Sequence, residues 1–156
     1  MVLIEIPGKG IMEIENLLLD LNGTIATDGV IAPKIKRKIN ALSQKLKMFI
    51  LTADTLGNLH ETTKGIKADF IKISGQRTGR RKAEVFNHIE LRKTAVIGNG
   101  FNDHLILKEA RLGIAVIGKE GLAVKALLSS DIVVNDIVDA LDLFVHPLRI
   151  KATLRM

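Results

Sequence analysis

Asn16-Leu17-Leu18-Leu19-Asp20 is a short apolar run that ends in a carboxylate, and Leu21-Asn22-Gly23-Thr24 follows it at once. A run of this length without an internal polar residue is the pattern of a strand covered on both faces, as in a parallel sheet. The residues beyond it, to about position 30, are rich in Gly, Thr and Asp and read as a loop.

The same unit recurs along the chain. Apolar runs at 48–51, 69–73, 94–97, 113–117 and 132–134 read as further strands. Helices are predicted between and after them, at 33–46, 55–64, 78–89, 102–110, 121–128 and 136–144. The first opens on Pro33, a favourable residue for a helix start, and places Ile35, Ile39, Leu42 and Leu46 on one face. Gly65 stops the second, and the third turns Val85 and Ile89 inward. Upstream, residues 2–6 and 11–15 flank Pro7-Gly8-Lys9-Gly10, whose turn chemistry predicts an N-terminal β-hairpin. Strands alternating with helices give an α/β fold: one doubly wound, Rossmann-like, mostly parallel sheet with helices on both faces. The expected organisation is a single domain over 1–156, with a hairpin extension at 1–15, a core at 16–145 and a C-terminal segment at 146–156 after Pro147.

Composition narrows the function. With 156 residues, 47% of them hydrophobic, the chain suits one core. It has no Cys, which excludes disulfides, thiolate metal sites and cysteine nucleophiles. No apolar run nears the roughly 18 residues that span a bilayer, and Met1 to Gly10 lack the features of a signal peptide. The expectation is a cytoplasmic protein without a membrane partner. A net charge of +6 and a pI of 9.7 favour anionic partners. The absence of Trp and Tyr, with only five Phe, argues against single-stranded nucleic acid. Basic residues cluster at Lys34, Lys36, Arg37 and Lys38, at Arg77, Arg80, Arg81 and Lys82, and at Arg149, Lys151 and Arg155; for most of them a solvated helix face is the expectation. His60, His88, His104 and His146 are scattered without paired ligand spacing, and His104 alone falls beside the polar residues below.

Parallel α/β sheets bind ligands in the loops at the carboxyl ends of their strands. Asp20, Thr52 with Asp54, and Asn99 with Asp103 all stand just after apolar strands, so three strands bring polar groups to one edge. Two nucleotide motifs fail there. Gly113 to Lys119 mimics a Walker A loop, but Glu120 replaces the required Ser or Thr and the intervening residues read as strand. Gly98-Asn99-Gly100-Phe101-Asn102-Asp103 mimics a dinucleotide fingerprint, but a carboxylate at Asp103 would repel a pyrophosphate.

What remains is Asp20-Leu-Asn-Gly-Thr24, Thr52-Ala53-Asp54, Lys82 and Gly98-Asn-Gly-Phe-Asn-Asp103, in that order. This series resembles the four motifs of the haloacid dehalogenase (HAD) superfamily, and most of all the phosphorylation domain of P-type ATPases. Ala110-Arg-Leu-Gly-Ile-Ala115 and Ser130-Asp-Ile-Val-Val134 extend the resemblance to about residues 16–145. It implies an aspartyl-phosphate enzyme with Asp20 as nucleophile and Mg²⁺ as cofactor. Asp20, the carbonyl of Asn22, Asn99 and Asp103 would surround the cation. Thr52 would donate to the phosphoryl group and Lys82 would neutralise it, while Gly23, Thr24 and Ala53 would shape the phosphate-binding loops. Asp54 and Asn102 would be supporting residues.

Two departures stand out. Phosphatases of the superfamily have an Asp general acid and base where this chain has Asn22, so the resemblance implies slow turnover or a persistent phosphoenzyme. They also have a metal-binding Asp where this chain has Asn99. Both departures leave room for a regulatory module that binds phosphate or a phosphorylated partner and does little chemistry. The chain between Asp20 and Thr52 is too short for the pumps' nucleotide-binding insertion, and no large cap domain is expected. An open site implies either a large substrate, such as a phosphoprotein rather than a small phosphorylated molecule, or a homo-oligomer in which a neighbour covers it.

Overall fold

In the computed structural model, which describes residues 1–52, 59–73 and 89–156, the run ending in Asp20 is the third strand of the chain and sits inside a six-stranded sheet. This strand, β3 (Asn16–Asp20), pairs with β4 (Lys47–Thr52) on one side and β6 (Thr94–Gly98) on the other. Beyond β4 lies β5 (Asp69–Lys72), and beyond β6 lie β7 (Leu112–Val116) and β8 (Ile132–Val134). Every pair is parallel. The order β5-β4-β3-β6-β7-β8 means that the chain builds outward from β3 in one direction and then returns to build in the other. The sheet is doubly wound, as its sequence predicts, and the order in which strands are added reverses between β3 and β6.

Strand periodicity divides the core in two. Leu17 and Leu19 face one way with Ile50, Ala95, Ile97 and Ile114, and Leu18 faces the other with Phe49, Leu51 and Val96. The first face is covered by α1 (Pro33–Leu42) and α5 (Ile137–Val145), through Ile35, Ile39, Leu141 and Phe144. The second is covered by α3 (His104–Glu109) and α4 (Val124–Leu127), through Ile106, Leu107 and Ala126. Each such side chain, fully buried, stabilises the fold by about 1.5–3 kcal/mol if it is large. The short helix α2 (Leu59–Thr63) precedes Gly65.

The predicted hairpin is present as β1 (Val2–Ile6) and β2 (Gly10–Ile14), antiparallel with Val2 opposite Ile14. Alternation turns Val2, Ile4, Ile6, Met12 and Ile14 into the first-face core, where Ile150 of α6 (Leu148–Leu154) joins them.

The differences from the sequence reading are at element ends. The helix predicted at 33–46 stops at Leu42, yet Leu46 stays buried because its amide bonds to the Leu42 carbonyl in a final turn. The helix predicted at 102–110 opens as a 3₁₀ turn, Phe101–Asp103. The one predicted at 121–128 begins only at Val124, since residues 121–123 are engaged by Asn99 instead. The parts of the predicted helices at 55–58 and 78–88 lie outside the described residues, while Ile89 is buried as expected.

Candidate active site

The chain leaves β3 for α1 on one face and β6 for α3 on the other, so a crevice opens at the carboxyl ends of these two strands, which is where doubly wound folds bind ligands. Asp20 ends β3 there, only 7% exposed, and Asn99 follows β6 at 8%. Thr24 and Asp103 are buried as well, and Thr52 closes β4 with 1% exposure. Buried polar side chains are costly without partners, and their concentration at this edge calls for a reason.

Hydrogen bonds join them. The Thr24 hydroxyl lies 3.0 Å from Asn99 Oδ1 and 3.3 Å from Asp20 Oδ2, so its single proton is shared between the two strands' loops. The Asn99 side chain is oriented from behind, where its Nδ2 donates to the Gly121 carbonyl at 3.0 Å. The Ala123 amide donates to the Asn99 carbonyl at 2.9 Å, which explains the late start of α4. Asp103 is fully buried, and its Oδ2 accepts the amides of Asn99 (3.2 Å) and Gly100 (2.9 Å), fixing the turn after β6.

The loop after β3 is tied down with equal care. The Ile25 and Ala26 amides both donate to the Leu21 carbonyl, and the Gly23 amide donates to the Ala26 carbonyl at 2.9 Å. Gly23 has φ +79°, and a Cβ there would stand 2.6 Å from Asn99 Nδ2. Glycine is therefore required twice, for its backbone conformation and for the close approach of Asn99. Asn22 is exposed beside it. Thr27 and Val30 exchange both backbone hydrogen bonds around Asp28 and Gly29, whose φ values are +51° and +77°. This is the two-residue turn that Asp-Gly favours, a hairpin inside a segment that the sequence reading takes as plain loop.

Of the residues that the sequence singles out, Asp20, Gly23, Thr24 and Asn99 are thus brought into contact, with Asp103 behind Asn99 and Thr52 on the neighbouring strand. Asn102, half-buried in the 3₁₀ turn, lies against Gly100. Ala53, Asp54 and Lys82 lie outside the described residues, as does the basic cluster 77–82. His104 is accounted for structurally: its Nδ1 donates to the Phe101 carbonyl at 2.6 Å, and its ring packs against that of Phe101. Lys38 pairs with Asp142 and Lys36 donates to the Lys64 carbonyl, so part of the first basic cluster fastens α1 rather than facing a partner. Among the described residues, no three Asp, Glu or His side chains converge to hold a metal by themselves.

One residue at this edge escapes the sequence reading. Glu120, in the loop after β7, accepts the Asp28 amide on Oε1 at 2.8 Å, and its Oε2 lies 3.0 Å from the position of a Gly23 Cβ. Nothing in the sequence near Glu120 signals this, because the contact joins loops that are remote in the chain and meet only through the strand order.

No family model matches the chain. It is 61% identical over 92 residues to the uncharacterized protein MJ0073 of Methanocaldococcus jannaschii, covering 58% of this chain and 99% of that protein. It is 28% identical over 99 residues to the copper-transporting ATPase ccc2 of Schizosaccharomyces pombe, covering 62% of this chain and 11% of the ATPase. Among solved structures it is similar to the 3-deoxy-D-manno-octulosonate 8-phosphate phosphatase of Moraxella catarrhalis, at TM-score 0.68 and 19% identity over 86% of this chain and 87% of that one. It is also similar to a HAD superfamily (subfamily III A) hydrolase of Legionella pneumophila, at TM-score 0.66 and 14% identity over 91% and 87%. No helix among the described residues is long and apolar enough to cross a membrane. The chain therefore belongs to the family of the M. jannaschii protein MJ0073, and its fold is that of the HAD superfamily.

Proposed function

We propose that the chain is a Mg²⁺-dependent phosphohydrolase or phosphotransferase that acts through an aspartyl phosphate on Asp20. The observation that carries this reading is the buried Asp20 carboxylate where the strand order reverses, within hydrogen-bond reach of Thr24 and one side chain removed from Asn99. A carboxylate at the carboxyl end of a central parallel strand stands where such sheets bind ligands, and an oxygen nucleophile there can reach a phosphoryl group.

In this reading a carboxylate oxygen of Asp20 attacks phosphorus and the bond to the leaving oxygen breaks. The leaving group takes its proton from water. Water, or an acceptor hydroxyl, then attacks phosphorus and restores the carboxylate. Thr52 would donate a hydrogen bond to the phosphoryl oxygens and Lys82 would neutralise their charge, with Gly23, Thr24 and Ala53 lining their cradle and Asp54 and Asn102 in support. The donors at the edge are all oxygens: Asp20, Asp103, the Asn99 amide and the Asn22 carbonyl. That set suits a hard cation, and its small number of carboxylates suits Mg²⁺, which keeps several waters. When bound, the cation would supply positive charge to offset that of the carboxylate and the phosphoryl group. The Moraxella phosphatase is described in complex with magnesium and phosphate ions, which supports the same choice here.

Asn22 cannot exchange a proton. General acid–base help is typically worth about 10²–10⁴ in rate, or roughly 3–5 kcal/mol of barrier, so turnover is slow and the phosphoenzyme persists. The substrate class is a phosphorylated small molecule or phosphoprotein in the cytoplasm, met by an open site that a second copy covers if the substrate is small. Residues 16–145 form the transfer core, and 1–15 and 146–156 are extensions of the same domain.

The test is to follow released and protein-bound phosphate with Mg²⁺ and a panel of phosphomonoesters, acetyl phosphate and ATP, beside Asp20→Ala. Mg²⁺-dependent turnover that vanishes in the variant is expected. Asn22 and Asn99 favour one second reading, a phosphate- or phosphopartner-binding regulatory module. Silence across the panel, with inorganic phosphate still bound, is the outcome that would select it.

A further inference from the structure

Asn99 brings no charge to the cation site proposed above, and a carboxylate stands close to it. Glu120 Oε2 and Asn99 Oδ1 are each 3.0 Å from the point where a Gly23 Cβ would be, so the two oxygens lie within twice that distance of each other. Glu120 is held in place by its other oxygen, which accepts the Asp28 amide at 2.8 Å. Asp28 lies in the turn of the loop that carries Gly23 and Thr24, so the same carboxylate is anchored to that loop and aimed at its base. Gly118, two residues earlier, comes close to the Gly23 carbonyl and fixes the approach of the two loops.

We propose that Glu120 is a positioning residue of the cation site, supplying through an ordered water the negative charge that Asn99 lacks. Direct ligation is not required, because Glu120 is anchored to the loop through Oε1 and its Oε2 stands beside Asn99. A cation that retains several waters can instead present one of them to a carboxylate in the next shell. Such partners typically govern metal affinity by about 10–100-fold. The inference rests on the Mg²⁺ reading above.

The experiment measures Mg²⁺ binding to the phosphate-free chain by calorimetry, with no substrate and no turnover. Four proteins are compared with wild type: Asp20→Asn, Glu120→Gln, Asn99→Asp, and the last two combined. Gln keeps an acceptor for the Asp28 amide, and thermal melting without Mg²⁺ checks that the loop is intact. Expected are a Kd for Mg²⁺ raised about 10-fold by Glu120→Gln and lowered by Asn99→Asp. In the Asn99→Asp background, the Glu120→Gln effect should shrink to about 3-fold or less, because the missing charge has been restored. A Kd within 2-fold of wild type for Glu120→Gln overturns this inference while leaving the Mg²⁺ reading intact, provided Asp20→Asn abolishes binding. A wild-type chain without Mg²⁺ affinity, or one indifferent to Asp20→Asn, overturns both.

Discussion

The two ends of the central sheet carry similar polar residues and use them in opposite ways. At the amino end, Asn16 Nδ2 donates to the Thr94 hydroxyl at 3.2 Å, and that hydroxyl donates to the Glu90 carbonyl at 2.7 Å. Outside it, Lys93 bridges to Glu15 at 3.0 Å and Glu13 at 3.6 Å, fastening the hairpin to the sheet. Each group there is spent on the chain's own geometry. At the carboxyl end, Thr24, Asn99 and Asp20 form an equally short chain of contacts, but around a buried carboxylate. Buried polar residues alone do not mark a site. A shared focus where the strand order reverses makes a candidate site.

The contrast can be broken by substitution at either end. The largest effect expected is at the carboxyl end: Asp20→Asn should lower Mg²⁺-dependent phosphate release by at least about 10³-fold, as loss of a nucleophile does. The fold should persist, because Asn keeps an acceptor for the Thr24 hydroxyl, and a loss of activity explained by unfolding in thermal melts would assign Asp20 a structural role instead. Asn22→Asp should work in the other direction, raising turnover by about 10²-fold or more through restored proton transfer, read as faster decay of bound phosphate. At the amino end, Thr94→Val should cost about 1–2 kcal/mol in denaturant unfolding, from the hydrogen bonds it loses, with no change in rate. A rate that falls with it would erase the distinction between the two ends.

The smallest effect concerns Glu15 and Lys93. Hydrogen bonding to Lys93 lowers the Glu15 pKa, and the same bond raises that of Lys93. The Glu15 contribution is therefore full above its ordinary value of 4.5 and fades as pH falls through its lowered one. The Lys93 contribution is full below its ordinary value of 10.5 and fades as pH rises through its raised one. Glu15→Gln should flatten the acid side of the melting profile slightly, because the pair is solvent-exposed and screened.

The sheet was legible because its signal is local. Three consecutive leucines before Asp20 leave no solvent face, and the residues on either side of each strand punctuate it. Asp20, Thr52, Asn99 and Asp103 could be read as one edge because parallel topology sends every strand's end the same way. What could not be read is what depends on contacts across the order of strands. Glu120 reaches Gly23 and Asp28 only because the loops after β7 and β3 close over the end of β6. The start of α4 depends on the same crossing, because Asn99 claims the Gly121 carbonyl and the Ala123 amide. The Asp28-Gly29 dipeptide is a turn signal, but a single bridge between Thr27 and Val30 is too short to show as strands in the sequence.

The most direct test of the account is to look for the covalent intermediate itself. The chain is mixed with acetyl phosphate and Mg²⁺, quenched in acid, and digested for mass spectrometry of the peptide that contains residues 16–24. A phosphoryl group on Asp20 that needs Mg²⁺, is removed by hydroxylamine and lasts longer than in Asn22→Asp is the predicted result. Phosphate release at an undiminished rate from Asp20→Asn, or a phosphoryl group carried on another residue, would contradict it.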